Sequence, residues 1–167
     1  MITTKRLGIL PLSYEQLMKY TRCDSSLDTE LNLQQTYRII SEELREALEY
    51  TILPNVADKN KNYLFSTIWI AFSYSENKPV GDFCWYGEPN EKGEIEIGYG
   101  IYQEFEGQGY MTEIVKGAIE WAKTYKYIKA IKATTTKINI PSFKVLERNG
   151  FLITEETEEL FYWRLKL

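Results

Sequence analysis

The stretch from Glu94 to Tyr110 constrains this chain most, because an alternating strand pattern runs into a glycine loop that opens a long amphipathic helix. Apolar residues alternate with other residues from Glu94 to Ile101, which is the period of a strand with one buried face. Gly107 and Gly109 let the backbone approach a ligand closely, and the following helix offers free N–H groups and the positive end of its dipole. The pattern predicts a strand, a loop and a helix, in which the glycine pair forms either a diphosphate site or simply a tight turn from strand to helix.

The size and charge of the chain indicate one acidic globular domain. Its 167 residues, 44% of them hydrophobic, suffice for a domain with its own core, so residues 1–167 are interpreted as a single domain. The net charge is −4 and no basic run is longer than a pair, which argues against an electrostatic footprint for nucleic acid. A cationic small molecule or peptide suits this balance better as a partner.

The cysteine and histidine content limits which side chains can bind a metal or transfer a proton. Cys23 and Cys84 are the only cysteines, and they fit neither a metal site nor a disulfide framework. Histidine is absent, so an acid or base must be Glu, Asp, Tyr, Cys, Lys or water. The most apolar run, Ile68 to Phe72, is too short to span a bilayer, and no leader pattern opens the sequence. We expect a cytoplasmic protein with no metal and no membrane contact.

The order of the remaining patterns predicts a mixed α/β fold of the α+β type, because antiparallel strands come before any strand that alternates with helices. Ser13 and Gln16 form a capping-box signal for the first helix, and Pro54 is interpreted as the stop of the second. Strands are predicted at residues 5–10, 67–74, 80–86, 94–101, 128–135, 151–156 and 160–166, and helices at residues 13–22, 33–50, 109–125 and 140–149. The expected architecture is a mostly antiparallel central sheet of about seven strands flanked by about four helices.

Two segments carry a resemblance to a known family. Glu104 to Gly109 matches the glycines of the phosphate-loop pattern Q/R-x-x-G-x-G/A, although not its first position. Asn139 to Phe151 matches Asn-x-x-Ser-x-x-Val-Leu-x-x-x-Gly-Phe. The first resembles the GNAT superfamily of N-acetyltransferases, and the second resembles its RimJ/RimL-like branch, which includes protein N-terminal acetyltransferases. The resemblance runs from about Lys5 to the C-terminus and implies the GNAT fold.

The resemblance implies acetyl-CoA as co-substrate, held by the end of the strand, the glycine loop and the later helix. Asn139 and Ser142 would contact the pantetheine arm. Lys144 and Arg148 would reach CoA phosphates, although a solvated helix face explains them equally well. The implied cofactor-binding residues are Gly100, Ile101, Tyr102, Glu106, Gly107, Gln108, Gly109, Tyr110, Met111, Asn139, Ser142, Lys144 and Arg148.

The glycine loop is acidic for a diphosphate site. Glu104 and Glu106 place carboxylates beside it, and an inward carboxylate about 4 Å from a phosphate would repel it by about 1 to 4 kcal/mol, depending on the local dielectric. We therefore expect Glu106 to point outward, leaving the backbone N–H groups to hold the ligand.

The candidate catalytic residues are Glu96 and Tyr99. Glu94 and Glu96 share one face of the strand, where Glu94 is expected to be solvated or ion-paired, and the resemblance implies that Glu96 lies near the acceptor amine. Many superfamily members carry a tyrosine seven residues after the asparagine as general acid, but Leu146 stands there in this chain. Tyr99 or Tyr110 is left as a substitute.

The aromatic residues on the preceding strand have two readings. Phe83, Trp85 and Tyr86 would line the acceptor cleft or pack in the core, and core packing is expected for at least two of them. Three further tryptophans lie in apolar strand or helix patterns and are also expected in the core: Trp69, Trp121 and Trp163.

The sequence thus predicts an N-acetyltransferase that moves the acetyl group of acetyl-CoA to a primary amine, on a protein N-terminus or a small molecule, by direct attack in a ternary complex. A non-catalytic acyl-CoA-binding regulatory module is the alternative, and nucleotide binding is a third. A homodimer is left open. The acceptor amine does not follow from the sequence, because fold analogy cannot choose it.

Overall fold

The computed structural model describes all 167 residues, and its framework is one mixed sheet of eight strands. The strands are β1 Ile2–Thr3, β2 Leu7–Pro11, β3 Ile68–Ser73, β4 Lys78–Trp85, β5 Glu94–Ile101, β6 Ala130–Thr136, β7 Leu152–Glu156 and β8 Leu160–Lys166. Their order in the sheet is β1-β2-β3-β4-β5-β6-β8-β7, and only β5 and β6 run parallel. The predicted strands are confirmed, with one added: the short β1 lacks a pattern long enough to be recognised.

Six α-helical segments surround the sheet: α1 Tyr14–Tyr20, α2 Ser26–Glu30, α3 Glu42–Ala47, α4 Leu53–Ala57, α5 Tyr110–Lys123 and α6 Ile140–Arg148. The capping box at Ser13 is present, since its side chain accepts from the Gln16 amide and the Gln16 side chain accepts from the Ser13 amide. None of the helices combines the length and apolar character that crossing a membrane requires.

The helix predicted at residues 33–50 is wrong at both ends. It begins only after Ser41, whose hydroxyl caps α3 by accepting from the Leu44 amide at 3.2 Å. It then passes through the π-helical turn Leu48–Ile52 into α4. Pro54 lies in the first turn of α4, where a missing N–H costs little, so it does not stop the chain there. The short α2 was not predicted either.

The two faces of the sheet bury separate cores. On one face α5 packs along the sheet with an apolar stripe that includes Ile114, Val115 and Ala118, all fully buried. The other face is covered by α1 to α4 through a smaller cluster that includes Leu17, Leu27 and Leu48. Burying each such large side chain contributes roughly 1.5 to 3 kcal/mol. Both faces of the central strands are therefore covered.

Aromatic rings fill the α5 side of the core. Trp69 stacks on Phe83 with ring centroids 5.5 Å apart, and Trp85 stacks on Trp121 at 5.8 Å. Trp163 is also buried. The expectation that these tryptophans and Phe83 belong to the core is confirmed. Tyr86, by contrast, directly follows β4 and is 66% exposed, so its side chain is available to line a cleft.

A fork in the sheet sets the position of the site. β5 pairs with β6 only from Glu94 opposite Ala130 to Glu96 opposite Lys132. Beyond Glu96, β5 stays with β4 while β6 stays with β8, so the two parallel strands separate. The second half of β5 therefore presents an open edge at the centre of the molecule.

Candidate functional site

A cavity of about 700 Å³, here called the loop cavity, lies between the glycine loop, the first turn of α5 and the start of α6. Most of the predicted cofactor-binding residues border it: Gly100, Ile101, Glu106, Gly107, Gly109, Tyr110, Met111, Asn139, Ser142, Lys144 and Arg148. Sequence reasoning missed further wall residues, namely Phe105, Thr112, Ile140, Pro141 and Val145. These have no side chain that singles them out, and only their places in the loop and helices bring them to the cavity.

The backbone of the glycine loop is shaped for close approach. Gly107 and Gly109 have φ of 72° and 77°, a region that side-chain-bearing residues rarely adopt. Gly109 is the N-cap of α5, so the first-turn amides of the helix have no acceptor within the helix. These amides and the positive end of the helix dipole can bind a diphosphate at the loop. The loop therefore fits the diphosphate of CoA.

Arg6, directly before β2, holds this loop in place and was missed by sequence reasoning. Its Nη1 donates to the Gln108 carbonyl at 3.0 Å, and its Nε forms an ion pair with Glu113 at 2.6 Å. Its guanidinium also lies 4.4 Å from the Tyr110 ring centroid. The ion pair compensates the one carboxylate in the first turn of α5. No local pattern marks Arg6, because its partners are distant in sequence.

Two predicted cofactor-binding residues do not border the loop cavity. Tyr102 directly follows β5; its side chain is buried in the core, and its hydroxyl donates to Asp82 Oδ2 at 2.8 Å. Gln108 folds back, and its Nε2 donates to the Glu104 carbonyl at 3.2 Å. These side-chain hydrogen bonds account for the absence of both residues from the cavity wall.

The acidic residues of the loop have different surroundings. Glu104 forms an ion pair with Lys78, Nζ to Oε1 2.9 Å, and does not border the cavity. Glu106 does border it and is exposed. Any electrostatic penalty on a bound diphosphate therefore rests with Glu106 alone.

The opposite wall of the loop cavity is the start of α6. Asn139 caps the helix, and its Oδ1 accepts from the Ser142 amide at 3.1 Å. Lys144 and Arg148 follow on the face that borders the cavity. Of the two readings left open for these residues, their position at the cavity favours contact with an anionic ligand.

A second cavity of about 510 Å³, here called the Asp82 cavity, opens on the other face of the sheet beneath α3 and α4. Asp82 and Cys84 of β4 border it from the sheet, together with Tyr86 directly after that strand. Tyr99 and Gly100 border both this cavity and the loop cavity. The two cavities therefore meet at the open edge of β5.

Backbone hydrogen bonding decides which amides of β5 face that edge. The Tyr102 amide donates to the Val80 carbonyl of β4 at 2.9 Å. Because bonded pairs alternate along an antiparallel ladder, Gly100 also directs its N–H to β4. Tyr99 and Ile101 therefore direct their N–H groups to the open edge.

Glu96 sits where the fork begins. It borders a third, smaller cavity of about 170 Å³, the fork cavity, together with Tyr86, Tyr99 and Ser142. The Thr134 hydroxyl donates to its Oε1 at 3.0 Å. Glu94 differs, because it is paired with Arg164 at 3.0 Å, and that hydrogen bond lowers the pKa of Glu94.

Of the two tyrosines considered as proton donors, Tyr99 is better placed. Its hydroxyl donates to the Ser142 carbonyl at 3.3 Å, across the gap between β5 and α6, and burial raises its pKa to about 12. Tyr110 instead directs its hydroxyl to Glu76 at 3.3 Å, away from the fork.

Comparison with known proteins gives a consistent result. A model of the GNAT acetyltransferase domain matches residues 6–152. The chain is 25% identical over 163 residues to the uncharacterized N-acetyltransferase YjdG of Bacillus subtilis, covering 98% of this chain and 96% of that protein.

Solved structures share the fold at lower identity. The ribosomal-protein-S5-alanine acetyltransferase of Vibrio fischeri superimposes with a TM-score of 0.68 at 16% identity, covering 98% of this chain and 94% of that one. RimL, a ribosomal L7/L12 alpha-N-protein acetyltransferase in complex with coenzyme A, gives 0.67 at 15% identity, covering 98% and 96%. The resemblance to RimJ/RimL-like proteins thus holds for the fold along nearly the whole chain.

The family model spans most of the chain, and the loop cavity supplies the amide cradle and cationic wall that a CoA diphosphate needs. This chain therefore belongs to the GNAT family and is an acetyl-CoA-dependent acetyltransferase.

Proposed function

We propose that this acetyltransferase moves the acetyl group onto a primary amine, of a small molecule or a protein N-terminus, by direct attack in a ternary complex. The observation that carries the proposal is the meeting of the loop cavity and the Asp82 cavity at Tyr99 and Gly100. A thioester in the first and an amine in the second would face each other across β5. Such proximity supplies much of the rate without a covalent enzyme intermediate.

The loop cavity would hold the CoA moiety. The amides of the glycine loop and of the first α5 turn would bind its diphosphate, with Lys144 and Arg148 on the opposite wall. Asn139 and Ser142 would contact the pantetheine arm.

The reaction joins the amine nitrogen to the carbonyl carbon of the thioester, while the carbon–sulfur bond breaks and CoA leaves as a thiolate. Negative charge develops on the carbonyl oxygen. The N–H groups that Tyr99 and Ile101 direct to the open edge are suited to stabilise it, because oriented backbone donors cost no reorganisation.

We assign the base to Glu96. The fork cavity it borders also touches Tyr99 and Tyr86, which border the Asp82 cavity as well, so the two spaces are neighbours. The fork cavity has room for water, and a carboxylate at its end can take the ammonium proton through a water relay. Thr134 holds Oε1 and leaves Oε2 for that water.

Tyr99 is proposed to protonate the departing thiolate. With its pKa raised to about 12 by burial, its hydroxyl is protonated at neutral pH and can act as a donor. It would take the role of the α6 tyrosine that many superfamily members carry at the position of Leu146.

Titration of the purified protein with acetyl-CoA, desulfo-CoA and ATP in a calorimeter tests the donor side. We expect micromolar binding of both CoA compounds and much weaker binding of ATP. Primary amines are then screened by release of free thiol from acetyl-CoA. Absence of CoA binding would reject the loop cavity, and thiol release that no amine accelerates would reject an amine acceptor.

A further inference from the structure

Asp82 is a charged residue in a place where charge is costly. It lies on central strand β4, is 7% exposed and borders the Asp82 cavity from the sheet. Its Oδ2 accepts hydrogen bonds from two buried hydroxyls, Tyr20 at 2.9 Å and Tyr102 at 2.8 Å. The two tyrosines hold the carboxylate in one orientation.

The other carboxylate oxygen is open. Asp82 Oδ1 accepts no hydrogen bond from the protein, yet it is not among the buried polar atoms that are sealed without a partner. It lies 3.9 Å from where a Cβ on Gly100 would stand, and Gly100 itself is exposed. Oδ1 therefore lies at the part of β5 where the two large cavities meet.

Asp82 has no ion-pair partner of its own. Burial raises its pKa, and the two tyrosine hydrogen bonds and the charge of Arg38 oppose that rise without forming an ion pair with it. Arg38 is buried with its charge paired to Asp28, and it faces the ring of Tyr20, with the guanidinium carbon 5.5 Å from the ring centroid. Since Arg38 and Asp28 cancel, this buried group keeps one net negative charge, on Asp82. A buried charge without an ionic partner is unfavourable until a counter-ion binds.

The walls of the cavity select the counter-ion. No lysine or arginine borders it, and its only other charged residue is the exposed Glu43 at the rim. Much of the remaining wall is aliphatic, including Leu44, Ile52 and Ile68. Burial raises the pKa of Asp82 because water solvates its carboxylate poorly. A cation that enters the cavity would therefore compete with little water for this carboxylate.

We infer that Asp82 Oδ1 binds the ammonium group of the acceptor, so that the acceptor is a primary ammonium ion with an apolar body beside it. This inference rests on the proposed amine transfer and names the residue that orients the amine opposite Gly100 before Glu96 removes its proton. The role is one of binding and orientation and does not itself move the proton.

The test compares Asp82→Asn with Glu43→Gln, which removes the same charge at the rim of the same cavity. Asparagine keeps the shape and can still accept from both tyrosines through its oxygen. Binding of n-hexylamine and phenethylamine is measured by calorimetry with desulfo-CoA present, and KM and kcat are measured with acetyl-CoA. We expect Asp82→Asn to weaken amine binding and raise KM by at least about 30-fold, as for a buried charge pair that loses one partner, and Glu43→Gln to change either by less than about threefold.

The wild-type protein supplies a second measurement, which holds even if the Asp82 variant does not fold. Hexylamine and phenethylamine should bind at least about 30-fold more tightly than the neutral isosteres 1-hexanol and 2-phenylethanol. Equal binding of amine and alcohol, or no binding of either amine, overturns the inference, as does an Asp82→Asn variant with unchanged KM.

The two proposals fail in different ways. If the protein acetylates amines and Asp82→Asn leaves the KM for the amine unchanged, the proposed function stands and the role of Asp82 in binding the ammonium group is rejected. If amines bind tightly through Asp82 but are never acetylated, the role of Asp82 in binding stands and acetyl transfer to amines is rejected.

Discussion

Glu96 and Glu94 are the same residue type on the same face of β5, but the structure gives them different surroundings. Glu94 is bound to Arg164, whereas Glu96 borders the fork cavity. We predict that Glu96→Gln lowers kcat by at least about 100-fold, the usual contribution of a general base. The Kd of acetyl-CoA should not change, because Glu96 does not border the loop cavity.

Glu94→Gln is the matched control, since it makes the same change two residues earlier. It should leave kcat within about twofold and cost at most about 1 kcal/mol of stability, because its ion pair lies near the surface. Steady-state kinetics with the best amine from the screen and calorimetry with acetyl-CoA measure both variants. An unaltered kcat for Glu96→Gln would remove this carboxylate from the mechanism.

Glu106 is the second residue with a distinct test. It is the one carboxylate of the loop that borders the loop cavity, and repulsion from a diphosphate would amount to about 1 to 4 kcal/mol at about 4 Å. We predict that Glu106→Gln tightens acetyl-CoA binding by about tenfold in low salt, measured by calorimetry. Glu104→Gln should have no such effect, because Glu104 is paired with Lys78 outside the cavity. Equal affinities for the Glu106 variant and the wild type would mean that this side chain points to solvent.

Single residues could be predicted from the sequence where local geometry demands a residue type. Gly107 and Gly109 are needed for positive φ, and Asn139 is needed for a cap. Arg6 and Asp82 could not be predicted, because their partners are brought to them only by the folded sheet. An aspartate in an apolar strand is a weak signal by itself, and it becomes informative once its free oxygen is seen.

At the scale of elements, the junction between the glycine loop and α5 is the centre of the proposed cofactor site. We predict that Gly109→Ala weakens acetyl-CoA binding by at least about tenfold, because an alanine at φ 77° strains the cradle by about 1 to 2 kcal/mol or shifts it. Gly150→Ala is the control: it has φ 81°, follows α6 and does not border the loop cavity.

Both variants should lose similar stability in thermal or urea unfolding, but only Gly109→Ala should lose acetyl-CoA affinity in calorimetry. If the two variants bind acetyl-CoA equally well, the conformation of Gly109 is not what shapes the cradle.

The elements that the sequence predicts well are those with a strong period of their own. The bounds of β5 and the start of α6 were predicted to the residue, and α5 within two residues at its end. The helix bounds predicted between residues 33 and 57 were wrong at the C-terminal side because Pro54 normally indicates a helix stop. In the structure a π-helical turn instead leads the chain into α4. That turn is stabilised by packing on the sheet, which no local pattern records.

At the scale of the whole molecule, the fork between β5 and β6 is the feature that sequence patterns describe least. Each strand is visible in the sequence, but their parting depends on β4 and β8 holding them on opposite sides. The same arrangement brings buried tyrosines and Cys84 into one region around Asp82 and the open edge. Their ionisation links the stability of the fold to pH.

Burial raises the pKa of the Cys84 thiol from 9.0 to about 12 and that of the Tyr99 hydroxyl from 10.0 to about 12. Burial also raises the pKa values of Tyr20 and Tyr102. The unfolded chain therefore ionises at a lower pH than the folded protein. Stability is fully present below about pH 9 and is lost as the pH rises toward 12, by about 1.4 kcal/mol per pH unit for each such group.

We predict that the free energy of unfolding in urea, measured from pH 7 to 11, stays nearly level and then falls steeply above about pH 9. Cys84→Ser should reduce that slope between pH 9 and 10, where only the buried thiol contributes, because serine does not ionise there. Cys23→Ser should not change it, since Cys23 is exposed. A Cys84→Ser variant with the wild-type slope would mean that the thiol ionises in the folded protein as easily as in the unfolded chain. The wall of the Asp82 cavity at Cys84 would then be more open to water than the packing of α3 and α4 allows.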